Sequence, residues 1–244
     1  IASSRQPFDE ATGLPSSDLT FEEVDRLRPE VYRFQAKEAG ELQFRKVHDA
    51  YTYLDDGSPL FPPDVSKAAI YFIRNPLDVL ISFAHHSATE PEKMIRVLND
   101  PEKAFGRSPE KLFNQLRQKL STWSGHVKSW VDQQEIPVHA MRYEDMRRDP
   151  FEVFRKALKF LNLTVSDEKI RQALKNSDLS ILQEQEKQQG FKEKMIRADK
   201  FFRKGKPGEW REVLTEKQVE SVISEHREVM RRSGYLDEDG EIME

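Results

Sequence analysis

Apolar residues run without interruption from Ala68 through Ile73 and stop at Arg74-Asn75-Pro76. A short run rich in β-branched and aromatic side chains, closed by a turn, predicts a strand buried on both faces, the pattern of a central parallel strand. Beyond it Leu77, Leu80, Ile81 and Ala84 fall at helical spacing, and Pro76 suits the first helical position because its missing N–H has no partner to lose there. The Ser/Pro/Gly-rich residues 1–17 read as loop. Thr20 with Glu23 forms a capping box that opens a helix through about Ala39, with Pro29 expected to break it in two. Glu41 to His48 alternates at Leu42 and Phe44 and predicts a strand ending at His48, followed by a turn at Asp55-Asp56-Gly57.

Further along, Pro91–Leu98 reads as a short helix. Ser108-Pro109 opens a long one with Leu112, Leu116, Leu120, Trp123, Val127 and Val131 on one face. Ile136–Met141 is another candidate strand. Asp149-Pro150 starts a helix with Val153, Phe154, Leu158 and Leu161 inward, and Ser166 caps the next. Residues 183–200 are polar and poorly patterned and read as a mobile segment. Thr215 with Gln218 forms a second capping box, and the last helix ends before Gly234. Residues 236–244 read as a solvated acidic tail. Strands alternating with helices predict an α/β fold with a short parallel sheet flanked by helices.

At 244 residues the chain has room for one sizeable domain. A net charge of −4 makes no global case for a nucleic-acid partner. The absence of cysteine removes disulfides, thiolate chemistry and Cys-ligated zinc, and agrees with a reducing, cytoplasmic compartment. No apolar run approaches the roughly 18 residues of a membrane helix, so no membrane partner is expected. IASSRQPF has neither a basic nor an apolar segment of a signal peptide. It also lacks an initiating Met, which suggests a start within a longer gene product.

Chemistry concentrates in three places. A buried strand ending in Arg74, followed by a helix N-terminus with free N–H groups, is a natural anion site, and Ser82 lies two turns into that helix. The alternative is that Arg74 pairs with Asp78 while Ser82 faces a neighbour. Between Lys192 and Arg211 eight basic residues stand against three acidic ones, and Gly205 and Gly208 allow close approach of backbone N–H groups to an anion. The same loop reads equally as a solvated charged surface. At the expected strand end, His48 suits a general base, and Lys46 on the same side suits stabilisation of developing negative charge, unless both are merely a half-exposed strand end. His85-His86 is a poor metal pair, because adjacent helix residues do not share a face.

Four segments in order resemble the sulfotransferases that use 3′-phosphoadenosine 5′-phosphosulfate (PAPS), the cytosolic type and its bacterial relatives. Lys46-Val47-His48 resembles the family's K-T-H strand end, and Ile73 through Ser82 its R-N-P-x-D-V-x-x-S core. Tyr143-Glu144-Asp145-Met146 resembles its Y-E-D-M/L segment, and Arg203 through Arg211 its R-K-G-x-x-G-D-W-K motif. The resemblance implies a P-loop-like sulfotransferase fold over residues 1–244 as one domain, and transfer of a sulfuryl group from PAPS to a small-molecule hydroxyl or amine, releasing 3′,5′-phosphoadenosine (PAP) without a metal. It implies that Arg74, Ser82, Arg203, Lys204 and Gly205 hold the 3′-phosphate and that Tyr143 contacts the nucleotide. His48 would take the acceptor's proton, with Lys46 supporting the transferring group.

Glu209 and Arg211 stand where the family has Asp and Lys. Ser177-Asp178-Leu179 stands where it has Thr-Ser-Phe. The family's first strand and P-K-S-G-T-T-W-like loop for the 5′-phosphosulfate do not occur in these residues. That leaves two rivals: a sulfotransferase-like module that binds a nucleotide or partner without transfer, and a nucleotide kinase, which the lack of a Walker motif disfavours. Oligomeric state is not legible.

Overall fold

The structure is a computed structural model that describes residues 3–106, 114–191, 194 and 200–243. In chain order the first elements are α1 (Arg5–Thr12), α2 (Phe21–Ala39), β1 (Ala69–Ile73), α3 (Pro76–His86) and α4 (Pro91–Leu98). Next come β2 (Ala104–Phe105), β3 (Gln118–Lys119), α5 (Trp123–Val131), β4 (Val138–Arg142) and α6 (Tyr143–Arg148). The last are α7 (Pro150–Phe160), α8 (Asp167–Asn176), α9 (Leu179–Gln189), α10 (Trp210–Val213) and α11 (Glu216–Arg232). The chain divides into two compact units, residues 1–69 with 100–138, and residues 70–99 with 139–244.

In the first unit Phe8 of α1 packs with Val24 and Val31 of α2 and with Leu116. The expectation of a loop over residues 1–17 is therefore corrected. The Ser, Pro and Gly residues punctuate the ends of α1, which closes at Gly13 with a left-handed φ of 68°. The capping box of Thr20 and Glu23 opens α2 as expected. Pro29 does not break this helix, which continues to Ala39. An interior proline costs about 3 kcal/mol, and tertiary anchorage offsets it. Arg28, one residue earlier, is 1% exposed and forks onto the Asp49 carboxylate with two bonds of 2.9 Å.

Residues 41–48 form no strand. Alternation alone does not make a strand without a neighbouring ladder, and here Leu42 and Phe44 are 56% and 71% exposed. The turn at Asp55–Gly57 is present, with the Leu54 N–H donating to the Ser58 carbonyl. Ser108, Pro109 and Leu112 lie outside the described residues. The rest of the long helix expected there is instead β3, antiparallel to β2, followed by α5. Ser121, with a φ of 62°, interrupts any continuous helix, and Thr122 caps a new one. Val131, at the end of that expected face, is exposed.

In the second unit β1 and β4 are neighbours in a short parallel sheet, and α3 packs against α4, α10 and α11. The apolar run of β1 is not buried on both faces. Ile73 is buried, but Phe72, on the opposite side of the pleat, is 61% exposed. Leu77, Leu80, Ile81 and Ala84 of α3 are all buried, as their spacing predicts. In α7 the inward face centres on Ala157, and Phe154 is exposed. Of the polar run 183–200 expected to be mobile, residues 183–189 are helical within α9, their polar contacts leaving no hydrophobic period to read, and residues 192–193 and 195–199 lie outside the described residues. After α11, Tyr235 and Leu236 are buried, Leu236 bridges to Ile242, and Glu238, Asp239 and Glu241 face solvent. Among the described residues no helix is long and apolar enough to cross a membrane.

His226, on the buried side of α11, carries a pH signature. Burial lowers its pKa from the ordinary 6.5 to about 4. Between those values the unfolded chain binds a proton that the folded chain does not, so stability rises with pH across the window. Lowering the pH from 7 to 4 should therefore remove on the order of 3 kcal/mol through this one group. Urea unfolding of the wild type and of His226→Leu at several pH values checks this. The variant should show a flatter pH profile, and parallel profiles would assign the loss to other groups.

Candidate functional site

The turn after β1 is built by backbone satisfaction. Asn75 caps α3, its side-chain oxygen accepting the Leu77 N–H at 3.0 Å. The Asn75 N–H donates to Glu144 at 3.1 Å, and the other Glu144 oxygen accepts from the Tyr235 hydroxyl at 2.9 Å. Glu144 thus joins the start of α6 to the start of α3.

In the first turn of α3, Asp78 is 2% exposed. Its carboxylate accepts the backbone N–H of Gly208 at 2.8 Å and that of Trp210 at 3.4 Å. Arg74 lies beside it. The guanidinium stands 3.9 Å from the Asp78 carboxylate, donates to the Lys206 carbonyl at 3.4 Å, and lies 4.5 Å over the ring of Tyr143. The Tyr143 hydroxyl donates to the Gly205 carbonyl at 3.0 Å. The structure therefore brings Arg74, Tyr143 and Gly205 together, and the Arg74–Asp78 proximity left open by the sequence coexists with them. Gly205 is required there. Its φ is 60°, and a Cβ would stand 2.9 Å from a methyl of Leu179.

Arg203 and Lys204 gather on Glu209. Arg203 donates both terminal nitrogens to the Glu209 carboxylate, one at 2.6 Å, and the Lys204 ammonium stands 3.2 Å away. The Arg203 hydrogen bonds, with help from Lys204, hold the Glu209 carboxyl below its ordinary range against the opposing effect of burial. Ser82 is exposed, four residues beyond Asp78 along the same face of α3.

Lys46 and His48 belong to the first unit, where Lys46 is exposed and His48 half-buried. Because residues 41–48 are not a strand, the argument from strand alternation that put both on one side does not hold. His48 is fixed by a partner the sequence does not announce. His126, 78 positions away, donates from Nε2 to the His48 carbonyl at 3.1 Å, and the His48 ring meets Phe105 edge-on at 5.9 Å. Burial lowers the His126 pKa and favours its neutral form. His86 packs against Phe83 and Phe201, and among the described residues no cluster of His, Asp and Glu suits a metal ion.

A family model described as the sulfotransferase domain matches residues 57–234. The chain belongs to the sulfotransferase domain family. Similar curated members include the mouse sulfotransferase 1 family member D1, 29% identical over 67% of this chain and 55% of that protein. The guinea-pig 3-beta-hydroxysteroid sulfotransferase is 28% identical over 72% of this chain and 61% of that protein. The chain spans about half the length of the curated relatives it matches. A mouse sulfotransferase solved with PAP aligns at a TM-score of 0.59 and 21% identity, covering 81% of this chain and 69% of that one. Retinol dehydratase, solved with androsterone and PAP, aligns at 0.53 and 22%, covering 70% and 50%. At these identities the solved structures establish the fold, which is the P-loop-like sulfotransferase fold.

The geometry makes Asp78 the anchor of the late loop. Replacing it with Ala should cost about 3 kcal/mol or more, since two backbone donors lose a charged acceptor. It should also release amide-exchange protection at Gly208 and Trp210 while leaving helix content unchanged. Protection that survives the substitution would show that the loop is held by other contacts.

Proposed function

We propose that this chain recognises PAPS and PAP through the second unit and that the protein carrying it transfers the sulfuryl group to a small-molecule hydroxyl or amine. The single observation that carries the reading is the convergence of Arg74, Tyr143 and the 205–208 backbone around the buried Asp78 carboxylate, the same segments that match the family's motifs. Arg74 and Ser82 hold the 3′-phosphate, and Arg203, Lys204 and Gly205 bring charge and backbone N–H groups to it. Tyr143 lies against the nucleotide. The PAP-bound structural neighbours support the ligand class, and a hydroxysteroid-named relative supports a hydroxyl acceptor. The family match, which runs through residues of both units, supports one sulfotransferase domain. The composition and a relative named a cytosolic sulfotransferase support a cytoplasmic setting.

Sulfuryl transfer depends on positioning and on stabilising charge, with the acceptor oxygen in line with the leaving group. The acceptor oxygen forms a bond to sulfur as the bond from sulfur to the 5′-phosphate oxygen breaks, and PAP departs as the anion. His48 takes the acceptor's proton, and Lys46 offsets negative charge on the transferring group. The bond from His126 to the His48 backbone fixes the base's position.

Two experiments test this. The protein should bind PAP at least roughly a hundredfold more tightly than adenosine 5′-phosphate, because two or more charge-assisted bonds of about 1.5–3 kcal/mol each depend on the 3′-phosphate. Calorimetry with both nucleotides measures the ratio, and equal affinities would remove Arg74 and Ser82 from the site. In the full-length natural protein, His48→Ala should lower turnover on the order of 10²–10⁴-fold with little change in PAP affinity. Turnover within about threefold of wild type would assign His48 a structural role and place the base elsewhere.

A further inference from the structure

Helix α9 buries no residue fully, and its sequence, LSILQEQEKQQ, is mostly polar. Three of its residues meet the run from Phe201 to Gly205. The Gln183 amide donates to the carbonyls of Phe202 at 3.1 Å and Arg203 at 2.6 Å. The Glu186 carboxylate accepts the N–H groups of Phe201 at 2.7 Å and Phe202 at 2.9 Å. A methyl of Leu179 fills the space that a Cβ on Gly205 would take. Leu179, Gln183 and Glu186 are spaced i, i+4, i+7 and so form one stripe of the helix.

The polar pair contacts backbone, with a donor facing two carbonyls and an acceptor facing two N–H groups. That complementarity fixes the dihedral angles of the run whatever its side chains do. Burial pushes the Glu186 pKa up, but the two backbone donors, with Lys194 and Lys200, outweigh it and hold the carboxyl below its ordinary range. Phe201 and Phe202 are packed in turn against Phe191, at 4.4 and 4.9 Å between ring centres.

We propose that Gln183 and Glu186 are positioning residues that preset the backbone carrying Arg203, Lys204 and Gly205 for a 3′-phosphate. This rests on the site reading given under Proposed function. Neither residue touches the nucleotide. Their effect is to spare the loop the ordering that binding would otherwise demand.

The test is calorimetry with PAP and adenosine 5′-phosphate on the wild type, Glu186→Ala, Glu186→Gln and Gln183→Glu, with amide exchange at Phe201 and Phe202. Both residues are partly solvent-exposed, so the variants should keep their helix content. PAP affinity should fall about tenfold or more in Glu186→Ala and Gln183→Glu, while affinity for adenosine 5′-phosphate stays within about twofold. Exchange at Phe201 and Phe202 should quicken in Glu186→Ala, and Glu186→Gln, which keeps one acceptor oxygen, should recover part of the PAP affinity. If the wild type prefers PAP but the variants bind it equally well, the positioning role is overturned and the site reading stands. An equal loss for both nucleotides also overturns it, as the mark of a merely structural helix. If the wild type does not distinguish the two nucleotides, the site reading fails and the positioning role fails with it.

Discussion

Asp78 is the carboxylate on which the candidate site depends. It is buried at the N-terminal turn of α3, where its oxygens require hydrogen-bond partners. Those partners are backbone N–H groups of Gly208 and Trp210, 130 and 132 positions later in the chain, with the Arg74 guanidinium alongside. The requirement to satisfy one buried carboxyl group therefore places the late glycine loop beside the turn that ends β1. Glu144 does the same for the opposite flank, joining Asn75 to Tyr235.

Once the loop is placed, its charges sort themselves. Glu209 collects Arg203 and Lys204, so this part of the loop is internally compensated rather than a bare cationic patch. Arg74 is held differently, by the face of Tyr143, the Lys206 carbonyl and, at 3.9 Å, the Asp78 carboxylate. Stacking fixes the plane of a guanidinium, whose forked donors match the geometry of a phosphate.

The sequence was most informative where one local signal decides the structure. The change from an apolar run to helical spacing at Pro76 locates β1 and α3, and the capping boxes at Thr20 and Thr215 locate α2 and α11, because caps act within one turn. It misled where tertiary partners decide. Pro29 is tolerated because Arg28 is anchored on Asp49, and alternation at Leu42 and Phe44 yields no strand where no ladder forms beside it. The motif residues Arg74, Tyr143 and Gly205 were legible and lie together. The groups that hold the site in place were not. Gln183 and Glu186 sit in a stretch with no apolar period, and the bond from His126 to His48 spans 78 residues without any sequence signal.

The central claim is that a 3′-phosphate sits where the turn after β1 meets the loop from Arg203 to Gly208. A crystal structure of the protein grown with PAP tests it most directly. The account predicts 3′-phosphate oxygens about 2.7–3.2 Å from the Arg74 guanidinium and the Ser82 hydroxyl, with the backbone of residues 203–205 against the same phosphate. A PAP molecule bound with its 3′-phosphate away from Arg74 and Ser82 would contradict it.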